Sequence, residues 1–271
     1  MIDNLVVVSD LHAGCQFGLC PPNGVHLDGG GRYTPNTIQE RVYGYWRHFW
    51  DKWVPHITEG QPYAVCVNGD SLDGIHHNSV HQISHNLAMQ REYARSLLCE
   101  LAERCRDMGT PFWVVRGTEA HVGQSGQDEE ELARDLGARE NEFGQHARHE
   151  LWVYVGPWLG HVMHHVGTTG SQHYETTGVH KELTESFTEA ARWGEQPPDF
   201  IVRSHRHRMI RTELPTRNGN AFSVVTPGWQ AKTPFTYRVA GGRITQPQFG
   251  GICIRNGEEG PYLRQDRKSV V

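Results

Sequence analysis

Five short apolar runs in this chain each lead into a cluster of Asp, His or Gly, and that recurrence limits the fold more than any other feature. The first run, Leu5-Val6-Val7-Val8, is followed by Ser9-Asp10-Leu11-His12. The second (62–67) ends at Asn68-Gly69-Asp70, and the third (112–115) at Arg116-Gly117-Thr118. The fourth (158–166) carries His164-His165, and the fifth (200–202) leads into Ser204-His205-Arg206-His207. Short β-branched runs bounded by turn residues read as strands. In α/β architectures, side chains just beyond the C-terminal ends of strands converge on one edge of a sheet, so clusters far apart in sequence can meet there.

The segments between the runs supply covering layers. Thr34-Pro35 opens a helix, along which Ile38, Val42, Trp46, Phe49 and Trp53 recur at helical spacing as a core-facing stripe. Leu87–Met108 reads as a long helix stopped by Gly109. Asp128-Glu129-Glu130-Glu131 starts another, with acids where the helix dipole favours them and an expected solvated start. A helix is expected at 179–193. Leu151–Val155 and 158–166 read as strands paired across a Gly-Pro turn, with further strands at 209–214, 221–225 and 251–254. The expectation is a single α/β domain over residues 1–271, its core motifs within 10–207.

Composition narrows the class. Hydrophobic residues make up 37% and aromatics 10% of 271 residues, enough for a substantial core. The net charge is −5 and no run of Lys and Arg occurs, which argues against a long-duplex nucleic-acid substrate. Six cysteines lie in apolar or helical patterns and read as reduced core thiols; Cys15-x4-Cys20 is no zinc spacing. The Gly29-Gly30-Gly31 run has no following P-loop Lys and reads as loop. Asp10 interrupts the first apolar run too early for a signal peptide, and no stretch reaches membrane-spanning length, so a cytoplasmic protein without a membrane partner is expected.

Histidine is the outlier, at 18 residues. Imidazole is the commonest metal-ligating side chain. Residues i and i+2 of a strand point the same way, so Asp10 with His12, and His205 with His207, can each offer two ligands from one segment. Mixed carboxylate and imidazole donors suit Mn, Fe, Zn or Ni better than Ca.

In order and spacing these blocks resemble the calcineurin-like metallophosphoesterase family, whose pattern is DxH, GD, GNH, a lone His, and GHxH. Here SDLH, NGD, MHH and SHRH match over about 200 residues, from Asp10 to His207. The resemblance implies an α/β sandwich of two mixed β-sheets packed face to face with flanking helices, and two divalent metal ions, Mn foremost. It implies that Asp10, His12 and His207 hold one metal, that Asp70 bridges, and that His164 or His165, with His205 and an oxygen near Thr118, hold the second. His164 is favoured; His165 is expected on the other side of the strand. Two metals roughly 3.5–4 Å apart can clamp a phosphate and activate water for in-line attack, so hydrolysis of a phosphate ester, monoester or diester, is implied, with His121 protonating the leaving oxygen.

Two departures stand out. Gly117-Thr118-Glu119-Ala120-His121 replaces GNH, as in a branch common among phage and prophage proteins, leaving Thr118 or Glu119 as the ligand in place of Asn. Ser204 replaces the Gly of GHxH. Asp73 is a candidate for orienting a ligand; His76, His77, His81 and His85 are candidates for lining the pocket, and Tyr174 and Lys181 for touching phosphate. Arg206, between two ligands, is expected to point away. Loops at 15–36, 71–86 and 122–127 are expected to set specificity. The substrate is expected to be a phosphate ester, with a nuclease or cyclic-nucleotide phosphodiesterase as alternatives. The other class considered is a metal-poor scaffold, as in the retromer subunit that resembles this family.

Overall fold

The apolar runs form strands of two sheets. The computed structural model describes residues 2–76, 78–167, 172–217, 219–238 and 245–269. In chain order the strands are β1 (Asn4–Val8), β2 (Val25–His26), β3 (Arg32–Tyr33), β4 (Ala64–Asn68), β5 (Phe112–Val115) and β6 (Ala147–Arg148). They continue with β7 (Leu151–Val155), β8 (Trp158–Val162), β9 (Phe200–Arg203), β10 (Ile210–Thr216), β11 (Gly219–Val225), β12 (Gln248–Asn256) and β13 (Pro261–Ser269). The helices are α1 (Thr37–His48), which runs through a π-helical stretch at Phe49–Trp53 into α2 (Val54–Ile57), then α3 (Leu87–Met108) and α4 (Glu119–Val122). α5 (Gln127–Asp135), α6 (Glu175–Trp193) and α7 (Pro234–Arg238) follow.

One sheet has the order β13-β12-β1-β4-β5-β6, parallel from β1 to β6 and antiparallel at β12 and β13. The other has the order β10-β11-β9-β8-β7, with parallel pairs at its centre and antiparallel pairs at both edges. Both are therefore mixed sheets. β2 and β3 form a separate ribbon.

Alternation along each strand divides the core in two. Leu5 and Val7 of β1, Cys66 of β4, and Trp113 and Val115 of β5 meet Val153, Val162, Phe200, Val202, Phe222 and Val224 of the second sheet, so the sheets pack face to face. The alternate residues Val6, Val8, Val65, Val67 and Val114 face α1, α3 and α5. On the outer face of the second sheet, Leu183 of α6 packs on Ile201 and Ala221. Burial of this kind contributes on the order of 1.5–3 kcal/mol per large apolar side chain. Among the described residues no helix is long and apolar enough to cross a membrane.

Several expected elements shift. α1 starts at Thr37 because Asn36 caps it: the Asn36 side chain accepts from the Ile38 and Gln39 amides, and Gln39 reaches back to the Asn36 amide. Ile38 is 40% exposed, and the buried residue of that turn is Gln39, whose amide donates to the Cys15 and Gly18 carbonyls. The fourth run ends as a strand at Val162, leaving His164 in the segment beyond it. β13 was not anticipated, because its polar sequence hides a strand exposed at a sheet edge. α3 and its left-handed Gly109 cap (φ 67°) lie where the sequence places them. All six cysteines are free, and five of them are buried.

Candidate metal centre

The ends of β1, β4, β5 and β9, together with the segment after β8, bring the Asp and His clusters to one edge of the sandwich. The loops after β1 and β4 run side by side: the amides of Asp10, His12 and Ala13 donate to the carbonyls of Gly69, Asp70 and Ser71, each at 3.0 Å. Gly69 (φ 81°) is required here, because a Cβ would run into the His164 ring and Gly117. Beneath the site Asn68 donates to Ser204 Oγ at 2.7 Å, and Thr226 Oγ1 lies 2.8 Å from Ser204 Oγ and 2.7 Å from Ser9 Oγ. This buried chain of polar side chains ties four strand ends together, and gives Ser204 a task that Gly could not perform.

The expected geometric basis for the ligand pairs is corrected. Asp10, His12, Asp70, His205 and His207 do not alternate along strands. They sit past the strand ends with positive φ, at 55°, 47°, 51°, 69° and 51°. They are five of the eight non-glycine residues with positive φ among those described. Such backbone costs energy and collects at functional sites; Asp and His are among the side chains that tolerate it best.

Three ligand groups result: Asp10, His12 and His207; Asp70, His164 and His205; and His12, Asp73 and His121, which shares His12 with the first. In the first, His207 Nε2 is 3.1 Å from Asp10 Oδ1 and 3.2 Å from His12 Nε2. In the second, Asp70 Oδ2 is 3.0 Å from His164 Nε2 and 3.9 Å from His205 Nδ1. Asp10 Oδ1 is also 3.9 Å from His164 Nε2, so the groups abut through Asp10. Asp10 Oδ1 and His164 Nε2 are buried and make no well-formed hydrogen bond among the described residues, only the close ion-pair contacts to His207 and Asp70. Buried polar atoms seldom lack a well-formed hydrogen bond, and these two, 3.9 Å apart, lie among carboxylate and imidazole donors, so the residues fit divalent metal ions. Electrostatics agree. Burial pushes Asp10 up, but His207 beside it brings the carboxyl down to about 2. Burial pulls His164 down, yet the Asp70 charge holds it at about 10. Protons on these imidazoles balance a carboxylate charge that a metal cation would also balance.

Thr118, at the N-terminus of α4, donates its amide to Asp70 Oδ1 at 2.6 Å, and its hydroxyl lies 3.2 Å from His205 Nδ1. Glu119 is exposed and has no hydrogen bond or ion pair with a described residue. Of the two oxygens left open by the sequence, Thr118 is the one placed at the second group. His165 is exposed with its ring 5.3 Å from that of His205, at the rim of the site rather than across the strand from it. His121 Nε2 is 4.0 Å from Asp70 Oδ2, and its Nδ1 is 2.5 Å from the Asp73 carbonyl. Burial and the nearby His12 push His121 down to about 4.

Asp73 orients His12: its Oδ1 lies 3.2 Å from His12 Nδ1 and accepts from Gln230 at 3.1 Å, while its Oδ2 accepts from Gln82 at 2.7 Å. A carboxylate behind a ligating imidazole fixes its tautomer, and its loss typically lowers metal affinity 10–100-fold. Asp73→Asn is therefore expected to weaken binding at the first group by about that factor, read by competition with a metallochromic chelator; unaltered affinity would remove Asp73 from the site.

The acidic run at 128–131 corrects another expectation. Glu129 is fully buried rather than solvated; it accepts from the Ser71 amide at 3.0 Å and the Gly117 amide at 2.7 Å, bracing the loops that carry Asp70 and Thr118. Burial pushes its carboxyl up to about 7. Sequence reasoning also missed Asn68, Thr226 and Gln230, since nothing local marks them.

His76 and His81 line a cavity of about 260 Å³ beside Asp73, with Phe235. His85 is exposed, and His77 lies outside the described residues. Arg206 does turn from the ligands, donating to the Glu175 and Gly167 carbonyls. Lys181 pairs with Glu185 at 3.4 Å along α6, and Tyr174 is 65% exposed; neither contacts the ligand groups.

No family model matches this chain, and no curated protein matches it. Among solved structures it is similar to the solution NMR structure of a Thermotoga maritima protein, TM1076, at 9% identity and TM-score 0.35, covering 99% of this chain and 100% of that one. It is also similar to vacuolar protein sorting 29 from Cryptosporidium parvum, at 12% identity and TM-score 0.34, covering 99% and 98% of the two chains. At such scores neither likeness bears on function; the site itself shows a mixed α/β fold presenting adjoining Asp/His groups suited to metal ions.

Proposed function

We propose that this protein is a metal-dependent phosphoesterase of the calcineurin-like kind, hydrolysing a phosphate ester with two divalent ions, Mn foremost. The observation that carries the reading is the pair of abutting ligand groups, whose buried carboxylate and imidazole atoms meet where Asp10 Oδ1 lies 3.9 Å from His164 Nε2. Asp10, His12 and His207 would hold one ion; Asp70, His164 and His205, with the Thr118 hydroxyl, would hold the other. Bound divalent ions supply positive charge to the phosphoryl oxygens and bring the acidity of water near neutrality.

The rest falls to the chain's own groups. Asp73 and the Asn68 carbonyl, the latter 2.7 Å from His164 Nδ1, hold His12 and His164 with Nε2 turned inward. The Asp73 carbonyl keeps a proton on His121 Nδ1, so Nε2 faces the site and must gain a proton before donating one to a leaving oxygen. His205 and His165 form the open rim where substrate enters.

Chelated protein should lose turnover of a chromogenic phosphate monoester or diester, and Mn should restore it with two ions bound per chain. The ratio of the two turnovers separates monoesterase from diesterase. Undiminished turnover after exhaustive chelation, or no bound metal, would overturn the reading; the latter would favour a scaffold.

A further inference from the structure

Each sheet ends in an exposed edge strand, and β10 and β13 lie on the same side of the sandwich. Between them runs a groove of about 590 Å³ lined by Trp53, His56, Met209, Arg211, Arg264 and Arg267, among others. Its lining contains three arginines and no Asp or Glu, in a chain of net charge −5. Arg264 is pre-set: its guanidinium lies 5.2 Å over the Tyr262 ring and donates to the Tyr262 hydroxyl at 2.6 Å. Arg267 is exposed and has no side-chain partner among the described residues. Arg211 is half-offset by Glu213, at 2.7 Å on the exposed strand.

The groove is joined to the ligand groups along the chain. Met209 lies two residues after His207. Val7 of β1 is level with Ile252, and Ile252 with Gln265, so Arg267 lies two residues further along, at the level of Ser9 just before Asp10. Guanidinium groups bind phosphate oxygens in forked pairs. Cationic grooves with an aromatic wall suit single-stranded nucleic acid, whose phosphates take the cations and whose bases take the ring. Trp53, one face of which is covered by Phe49 at 5.0 Å, supplies that wall. The missing Lys and Arg run is no obstacle, since these arginines come from separate strands.

We propose that the β10–β13 groove binds a single-stranded polynucleotide and leads its phosphodiester backbone to the Asp/His centre. This rests on the phosphoesterase reading and deepens it by naming the substrate class.

The test is fluorescence anisotropy of a labelled oligothymidylate with the full chain in excess chelator, so that binding is read without hydrolysis. Binding should weaken about twentyfold between roughly 50 and 200 mM salt, as three phosphate contacts require. Arg264→Ala/Arg267→Ala should weaken it about tenfold more at low salt, with an unchanged melting temperature as the control for folding; Arg267→Glu alone should act in the same direction. Oligothymidylate binding that is absent, or unchanged in both variants, would overturn the proposal, as would equal affinity for duplex DNA or equal displacement by polyglutamate. Its failure leaves Mn-dependent turnover of small esters intact, whereas binding without such turnover would sink the phosphoesterase reading alone.

Discussion

Asp70→Asn should lower metal-dependent turnover by about a thousandfold or more, the scale of losing a charge aimed at the reacting centre. Asp70 is 1% exposed, and its two oxygens serve four partners: the Thr118 amide, His164, His205 and, at 4.0 Å, His121. Burial opposes its charge, yet the neighbouring His164 holds the carboxyl well below its usual range. Asparagine has the same shape, so the sheets should form. It brings no negative charge, and one of its two heteroatoms becomes an N–H donor among groups that already donate. The checks are kcat/KM with Mn and ions per chain by elemental analysis. A variant that keeps both ions and turns over within tenfold of the parent would show that Asp70 is not a ligand.

The largest effect on stability is expected at Glu129. Its carboxylate is the acceptor for two buried backbone amides from separate loops. Alanine leaves both unsatisfied, at about 1–3 kcal/mol each, for a total of roughly 2–6 kcal/mol and a fall in melting temperature on the order of 10 °C. Glutamine keeps one acceptor and turns an amide donor toward the other N–H, so Glu129→Gln should fall between parent and alanine. Because Ser71 and Gly117 adjoin Asp70 and Thr118, both variants should also lose metal affinity. Thermal melts of the three proteins in chelator check the order; an alanine variant that melts with the parent would refute the bracing role.

What could be read from residue order was whatever has a local cause. Strand runs ending in Asp or His were visible because apolar alternation and turn residues lie side by side in the chain. Leu87–Met108 was visible because its stripe and its stop signal are both local. Asp10, His12, Asp70, His164, His205 and His207 could be singled out, and the structure brings them together. Their backbone twist could not be foreseen, since positive φ at Asp or His is imposed by neighbouring loops. Glu129 read as a solvated helix start because its dipole context is local, whereas the two amides that bury it arrive from residues 71 and 117. Glu119 drew attention through its charge, but Thr118 occupies the inward place.

The left-handed turns at five ligand positions have a further consequence. Each costs on the order of 1 kcal/mol, and together they approach the net stability of an ordinary domain. The rest of the fold offsets that strain: the amide ladder between the loops, the Ser9–Thr226–Ser204–Asn68 chain and Glu129. Strain and support are therefore coupled, so that weakening any one of those braces should loosen the ligand loops together. Ions held there would act as a clasp on that region, tying the thermal endurance of the site to metal supply rather than to the core.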